Sequence, residues 1–153
     1  MKNTKRFLME QFYTCLKNNL IDLELDFYSE EDFYEYLEVR DEKIFDRKWL
    51  EIHAEISLLE NKIENKDLIE SICEEVYMKV MSFSGVEDLA ACISDDFELI
   101  FKALDVDYNN RWLNGMMVMY LDDRFPNDAD EIEEEGTEES IKSQLEKYLK
   151  IKS

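Results

Sequence analysis

Asp105, Asp107 and Asn109 place three oxygen-bearing side chains at alternate positions. The first three side-chain ligands of a calcium-binding loop are arranged in this way. Such a loop also needs glycine at its sixth position, for the sharp turn, and a bidentate glutamate at its twelfth. Counted from Asp105, those positions hold Asn110 and Met116. With both requirements unmet, residues 105–116 read as a corner between helices anchored by Trp112, and no metal site is expected. His53 is the lone histidine. A zinc site needs further ligands, and base catalysis needs a nucleophile or an orienting carboxylate. Glu60 is on the same side of its helix but two turns away, so His53 reads as a boundary residue. The 38 acidic side chains include many pairs able to approach within the ~5–9 Å of a glycosidase, so no one pair is informative. Nucleophile-elbow, zinc-protease and nucleotide-binding motifs are absent, and three glycines are too few for a phosphate-cradling loop. Met116, Met117 and Met119 suit either an adaptable binding surface or core filling. No catalytic residue, metal or cofactor is assigned.

Charge says more than motif does. The 153 residues carry 38 acidic against 18 basic side chains, for a net charge of −20 and a pI near 4.3. Residues 51–100 hold 13 acidic and 3 basic side chains, and residues 122–139 hold ten acidic and one arginine. Such a surface repels nucleic-acid phosphates and anionic membranes, and it speeds encounter with basic proteins. The plainest use of this charge is solubility; the sharper one is docking of a cationic partner. Two groups are candidates for that surface. One is Asp128, Asp130, Glu131, Ile132, Glu133, Glu134 and Glu135, where Ile132 would be an apolar anchor among carboxylates. The other is Glu51, Glu55, Glu70 and Glu74.

Three glycines and one proline are too few to punctuate a β-rich chain. Aromatic content of 12% argues against disorder. The expectation is one all-α domain spanning residues 1–153, a bundle of about six or seven helices. Leu8, Phe12, Leu16 and Leu20 mark a first helix over 4–20. Residues 21–28 alternate like a strand but have no partner strand, and read as an extended linker or frayed helix. Ser29 and Asp32 resemble a capping box opening a short aromatic helix with Phe33, Tyr34 and Leu37. Residues 43–64 carry two apolar stripes: Phe45, Trp49, Ile52, Ile56, Leu59 and Ile63 on one side, and Leu50, Ala54 and Leu58 nearly opposite. A helix apolar on two sides is usually sandwiched, which predicts that 43–64 is central. Further helices are expected over 67–83, over 86–93 behind a Ser84/Glu87 capping box, and from a Ser94 cap to Leu104. Another runs from a cap at Asn109 or Asn110 to Leu121. Residues 127–136 read as an acidic loop, followed by a last helix capped by Thr137.

Cys15, Cys73 and Cys92 are far apart and lie beside apolar residues, so all three are expected to be reduced core thiols. No apolar run precedes Glu10, so no signal peptide is expected, and no window resembles a membrane span. These features point to a cytoplasmic protein with no membrane or direct nucleic-acid partner.

Residues 94–126 add a resemblance. Ser94-Asp95-Asp96, Ala103-Leu104, Tyr108, Trp112-Leu113-Asn114, Tyr120 and Phe125-Pro126 are similar to a pattern in small bacterial immunity proteins of polymorphic toxin and contact-dependent inhibition systems. The resemblance implies a cytosolic, non-enzymatic factor that binds a cognate toxin and blocks its active site. Its residues read as caps and core, so no functional residue carries over. The acidity suggests a basic toxin, such as a nuclease. A nucleic-acid mimic or anti-restriction protein is the alternative, and would need carboxylates spaced along one long face. An undetected enzyme is the third, and would need a deep pocket at His53 or at a carboxylate pair.

Overall fold

In a computed structural model, residues 4–26 and 30–152 are described, with the backbone alone for 30–32. Among them are eight α-helices and no strand: α1 (Thr4–Lys17), α2 (Glu30–Arg40), α3 (Lys43–Ser57), α4 (Lys66–Ser84), α5 (Glu87–Asp105), α6 (Arg111–Leu121), α7 (Ala129–Glu135) and α8 (Ile141–Lys152). A 3-10 turn, Glu60–Lys62, follows α3. The all-α class is as expected, and the buried side chains form one core.

The centre of that core is α5, not the helix at 43–64. Leu89, Ile93, Phe97, Ile100 and Leu104 are buried on one side of α5, and Ala90, Asp96, Leu99 and Ala103 are buried beside them. The helix packs on α1, α2, α3, α4 and α8, and reaches α6 where the Phe97 and Tyr120 rings lie 4.7 Å apart. By contrast, α3 stops at Ser57 and buries Phe45, Ile52 and Ile56. Its second stripe stays in water, with Leu50 51% and Leu58 82% exposed. The expected sandwich is absent because no element lies across that face among the described residues.

Residues 87–105 form one helix where two were expected. Ser94 is not a cap; its Oγ donates to the Cys73 carbonyl at 3.0 Å, pinning α5 to α4. Between those helices Gly85 takes φ +69°, a left-handed conformation that costs glycine little. Ser84 accepts the Val86 N–H in place of the expected capping box. Residues 21–26 are extended, with Ile21, Leu23 and Leu25 buried and Asp22, Glu24 and Asp26 exposed. The alternation thus marks a strap over the core, held by Asp26 N–H to the Asp123 carbonyl at 2.9 Å. The Ser29/Asp32 capping box lies outside the described side chains.

The corner at 105–110 divides its polar groups among structural tasks. Both Asp105 oxygens are taken by Glu64 N–H, Asn65 N–H and Asn65 Nδ2, at 2.9–3.0 Å, which holds the start of α4. Asp107 meets Lys5, Asn109 accepts from Asn114, and Asn110 caps α6 through Leu113 N–H. Trp112 is buried, as expected of an anchor, and donates to the Ala129 carbonyl at 3.2 Å.

Candidate partner-binding site

The surface around α3 is shaped by a buried polar network. Asp96 is fully buried in α5, and its carboxylate accepts four bonds. Arg40 gives two, at 2.6 and 2.8 Å; Trp49 Nε1 gives one at 2.9 Å, and the Tyr120 hydroxyl one at 2.5 Å. Two carboxylate oxygens have about four acceptor positions, so Asp96 is saturated. One side chain thereby ties α2, α3 and α6 to α5. The Arg40 guanidinium also reaches the Pro126 carbonyl at 3.3 Å and lies over the Phe45 ring at 4.3 Å. Burial alone would lower the Arg40 pKa; Asp96 more than reverses this and keeps Arg40 charged. Burial, with Asp96 adding, pushes the Tyr120 hydroxyl well up, so it stays a donor.

Outside this network runs an acidic groove between α3 and α5. A cleft of about 500 Å³ has Arg40 and Asp96 in its floor and Asp41, Asp46, Asp88 and Asp95 around it. Past Trp49 it meets a smaller recess, of about 150 Å³, lined by His53, Glu60, Glu98 and Lys102. Lys102 closes that end on Glu98 at 3.3 Å and Glu60 at 3.4 Å. Partial burial raises the Asp95 pKa, and the neighbouring Asp96 and Glu98 charges raise it further. A cation brought to this groove would relieve that repulsion.

His53 is exposed and stacks on Trp49, with ring centroids 5.3 Å apart and planes 13° apart. Ser57 is nearby, yet its Oγ donates to the His53 carbonyl rather than to the ring. The recess therefore does not pair a nucleophile with a base.

On the opposite side of α3 lies α7, where an acidic loop was expected. Asp128 caps it by accepting Asp130 N–H at 2.8 Å and Glu131 N–H at 3.3 Å. Ile132 is wholly buried and cannot be the anchor for a partner. It is the intramolecular anchor of α7, which lies so close to α6 that a Cβ on Gly115 would sit 2.6 Å from the Ile132 carbonyl oxygen. The carboxylates of α7 remain outside. Glu133 meets Lys48 of α3 at 3.2 Å, and Arg124 meets Glu135 at 3.0 Å and Glu131 at 3.8 Å. Asp130 and Glu134 have no ion pair among the described residues.

The structure brings together part of the predicted set. Glu51 and Glu55 are exposed on α3, where Glu55 accepts the Tyr108 hydroxyl. Asp128 and Asp130 flank Ile44 at the start of α3, and Glu133 reaches its Lys48. Glu70 and Glu74 are exposed on α4, which packs on α1 and α5. Sequence reasoning missed the groove. The available signal was Asp96 itself, a carboxylate three residues after Ile93 and four before Ile100 in an apolar stripe.

Searches of the curated proteins and of the solved structures found no match. A family model described as immunity protein PIM1 matches residues 13–127. The match contains the 94–126 segment and extends back through α2, α3 and α4. It covers most of the chain, which therefore belongs to the PIM1 immunity protein family.

Proposed function

We propose that this immunity protein neutralises a cognate toxin domain with a cationic surface, a nuclease being the class that fits best. It does so in the cytoplasm by covering the toxin's active site, and it catalyses no reaction. The observation that carries this reading is an immunity-family chain with net charge −20 whose carboxylates flank α3 on two sides. A nuclease cleft must be positive to hold phosphates, and carboxylates presented to it take the places of those phosphates. Of the candidate residues, the exposed carboxylates of α7 with Glu51 and Glu55 form the contact; Glu70 and Glu74 lie apart from it on α4.

The test begins in the genome: a toxin-domain gene should lie directly upstream, and that domain is the partner to be tried. Co-expression should protect cells from it, and the purified chain should inhibit it in stoichiometric amounts. Association should slow steeply with salt, because exposed charges are screened beyond ~10 Å at 0.1 M. Asp130→Lys with Glu134→Lys should slow association severalfold at low salt and leave circular dichroism unchanged. Toxin activity undiminished by excess immunity protein would sink the proposal, and salt-independent association would remove its electrostatic part.

A further inference from the structure

The face of α3 turned away from the core has no partner among the described residues. Ile44, Leu50 and Leu58 are 50, 51 and 82% exposed, with Ala54 exposed between them. Ile44, Leu50 and Ala54 line one shallow apolar depression, and Leu58 follows Ala54 one turn on. At 1.5 Å per residue the row is about 21 Å long. Other large exposed apolar side chains, Phe7, Leu20, Tyr34, Met78 and Ile151, lie one to a segment. Singles of that kind are ordinary on protein surfaces, whereas a row along one helix marks an interaction site.

The charges around the row select its occupant. Within the depression, Lys43 and Arg47 balance Asp46 and Glu51. Acid dominates on both flanks: Asp130, Glu133 and Glu134 on α7, and Asp41, Asp88 and Asp95 along the groove. An apolar centre with no net charge inside a charged rim is the anatomy of a protein interface. A second copy of this chain would set net charge −20 against −20. A surface with an apolar centre and a Lys/Arg rim complements it on both counts. The row, about 21 Å by the ~10 Å width of a helix, covers about a quarter of the ~800 Å² that each partner buries in a stable complex. The two acidic flanks supply the remaining area.

We infer that the outward face of α3, centred on Leu50 and Leu58, is the apolar anchor of the interface with the basic toxin domain. This rests on the toxin-neutralising reading and assigns the residues that hold the complex together once charge has brought it together. Exposed leucines can be changed without cost to the core, so the variants remain folded.

The test uses a catalytically inactive form of the same toxin domain as probe. Leu50→Ser with Leu58→Ser should weaken binding about a hundredfold, mainly through faster dissociation, because two leucines lose their burial. Glu70→Lys with Glu74→Lys, on α4, should change it less than threefold. The urea midpoint of each variant should match that of the unaltered protein. If the unaltered chain fails to bind the probe, the toxin-neutralising reading falls and this assignment with it. If the unaltered chain binds and the serine variant binds equally well, the reading stands and the α3 anchor is overturned. A dimer of the unaltered chain that the serine variant makes monomeric would also overturn it, by assigning the face to self-association.

Discussion

Asp96→Asn removes the charge at the centre of the buried network and little else. Asparagine has nearly the same shape, but offers one acceptor oxygen where the carboxylate accepts four bonds. Arg40 stays protonated, with 8% of its surface exposed and its anionic partner gone. Breaking a buried pair from one side costs ~3–5 kcal/mol, because the remaining charge is left uncompensated. Arg40 keeps the Pro126 carbonyl at 3.3 Å and the faces of Phe45 and Phe125 at 4.3 and 5.4 Å. Cation–π contacts of this kind retain ~0.5–2 kcal/mol, which places the expected loss near the lower bound, at about 3 kcal/mol. Urea unfolding at neutral pH, followed by circular dichroism, measures it. The loss should be the same at about 0.05 and 0.5 M NaCl, since a buried pair is little screened. Adding Arg40→Met should restore part of the lost stability, because it removes the orphaned cation. A loss below about 1 kcal/mol, or one that disappears at high salt, would refute the reasoning. So would a double variant no more stable than the single one. The network also sets where α3 lies, so Asp96→Asn should weaken toxin binding by more than its surface effect, Asp96 being out of a partner's reach.

Three further outcomes are expected. Gly115→Ala should destabilise by about 1–3 kcal/mol in urea unfolding despite alanine's better helix propensity, because the new Cβ meets the Ile132 carbonyl oxygen of α7 at 2.6 Å and the backbone nitrogen of Gly136, just past α7, at 2.9 Å; a stabilised variant would mean that α7 does not pack there. Burial raises the pKa values of Asp95, Asp123 and Glu131, and neighbouring carboxylates add to the rise at each. These three groups therefore hold more protons in the folded state than in the unfolded chain just above the ordinary carboxylate range, so the urea midpoint should rise as pH falls from about 7 toward that range, and the gain should be lost again as pH rises; a lower midpoint at about pH 5.5 would contradict this. Cys15 and Cys73 are buried, burial pushes the Cys73 thiol up to about 12, and burial pushes Cys92 up as well. Thiol reagents at about pH 8 should thus react slowly with native protein and release three equivalents in denaturant, since the thiolate is the reactive species; fast native labelling of Cys73 would refute its burial.

Much of the architecture was legible from local chemistry. Sparse glycine and proline with apolar residues at helical spacing required an all-α fold. Asn110 was recognisable as a cap and Trp112 as an anchor, and the segment 94–126 carried enough of its family's pattern to point to immunity proteins. The acid excess is a property of composition and needed no structure. These features are local or additive, so a linear chain displays them. What the sequence could not decide was what covers each apolar face. The two stripes of α3 look alike in periodicity, yet one meets α5 and the other meets water. Ser94 and Asp96 read as a helix start because local rules favour them there. A carbonyl of α4 and donors from Arg40, Trp49 and Tyr120 satisfy them mid-helix instead, from residues 21–56 positions away. Residues 128–135 look too charged for an isolated helix. They hold one because Ile132 is buried and Gly115 lets the two backbones come close, a contact between residues far apart in the chain that tertiary packing alone creates.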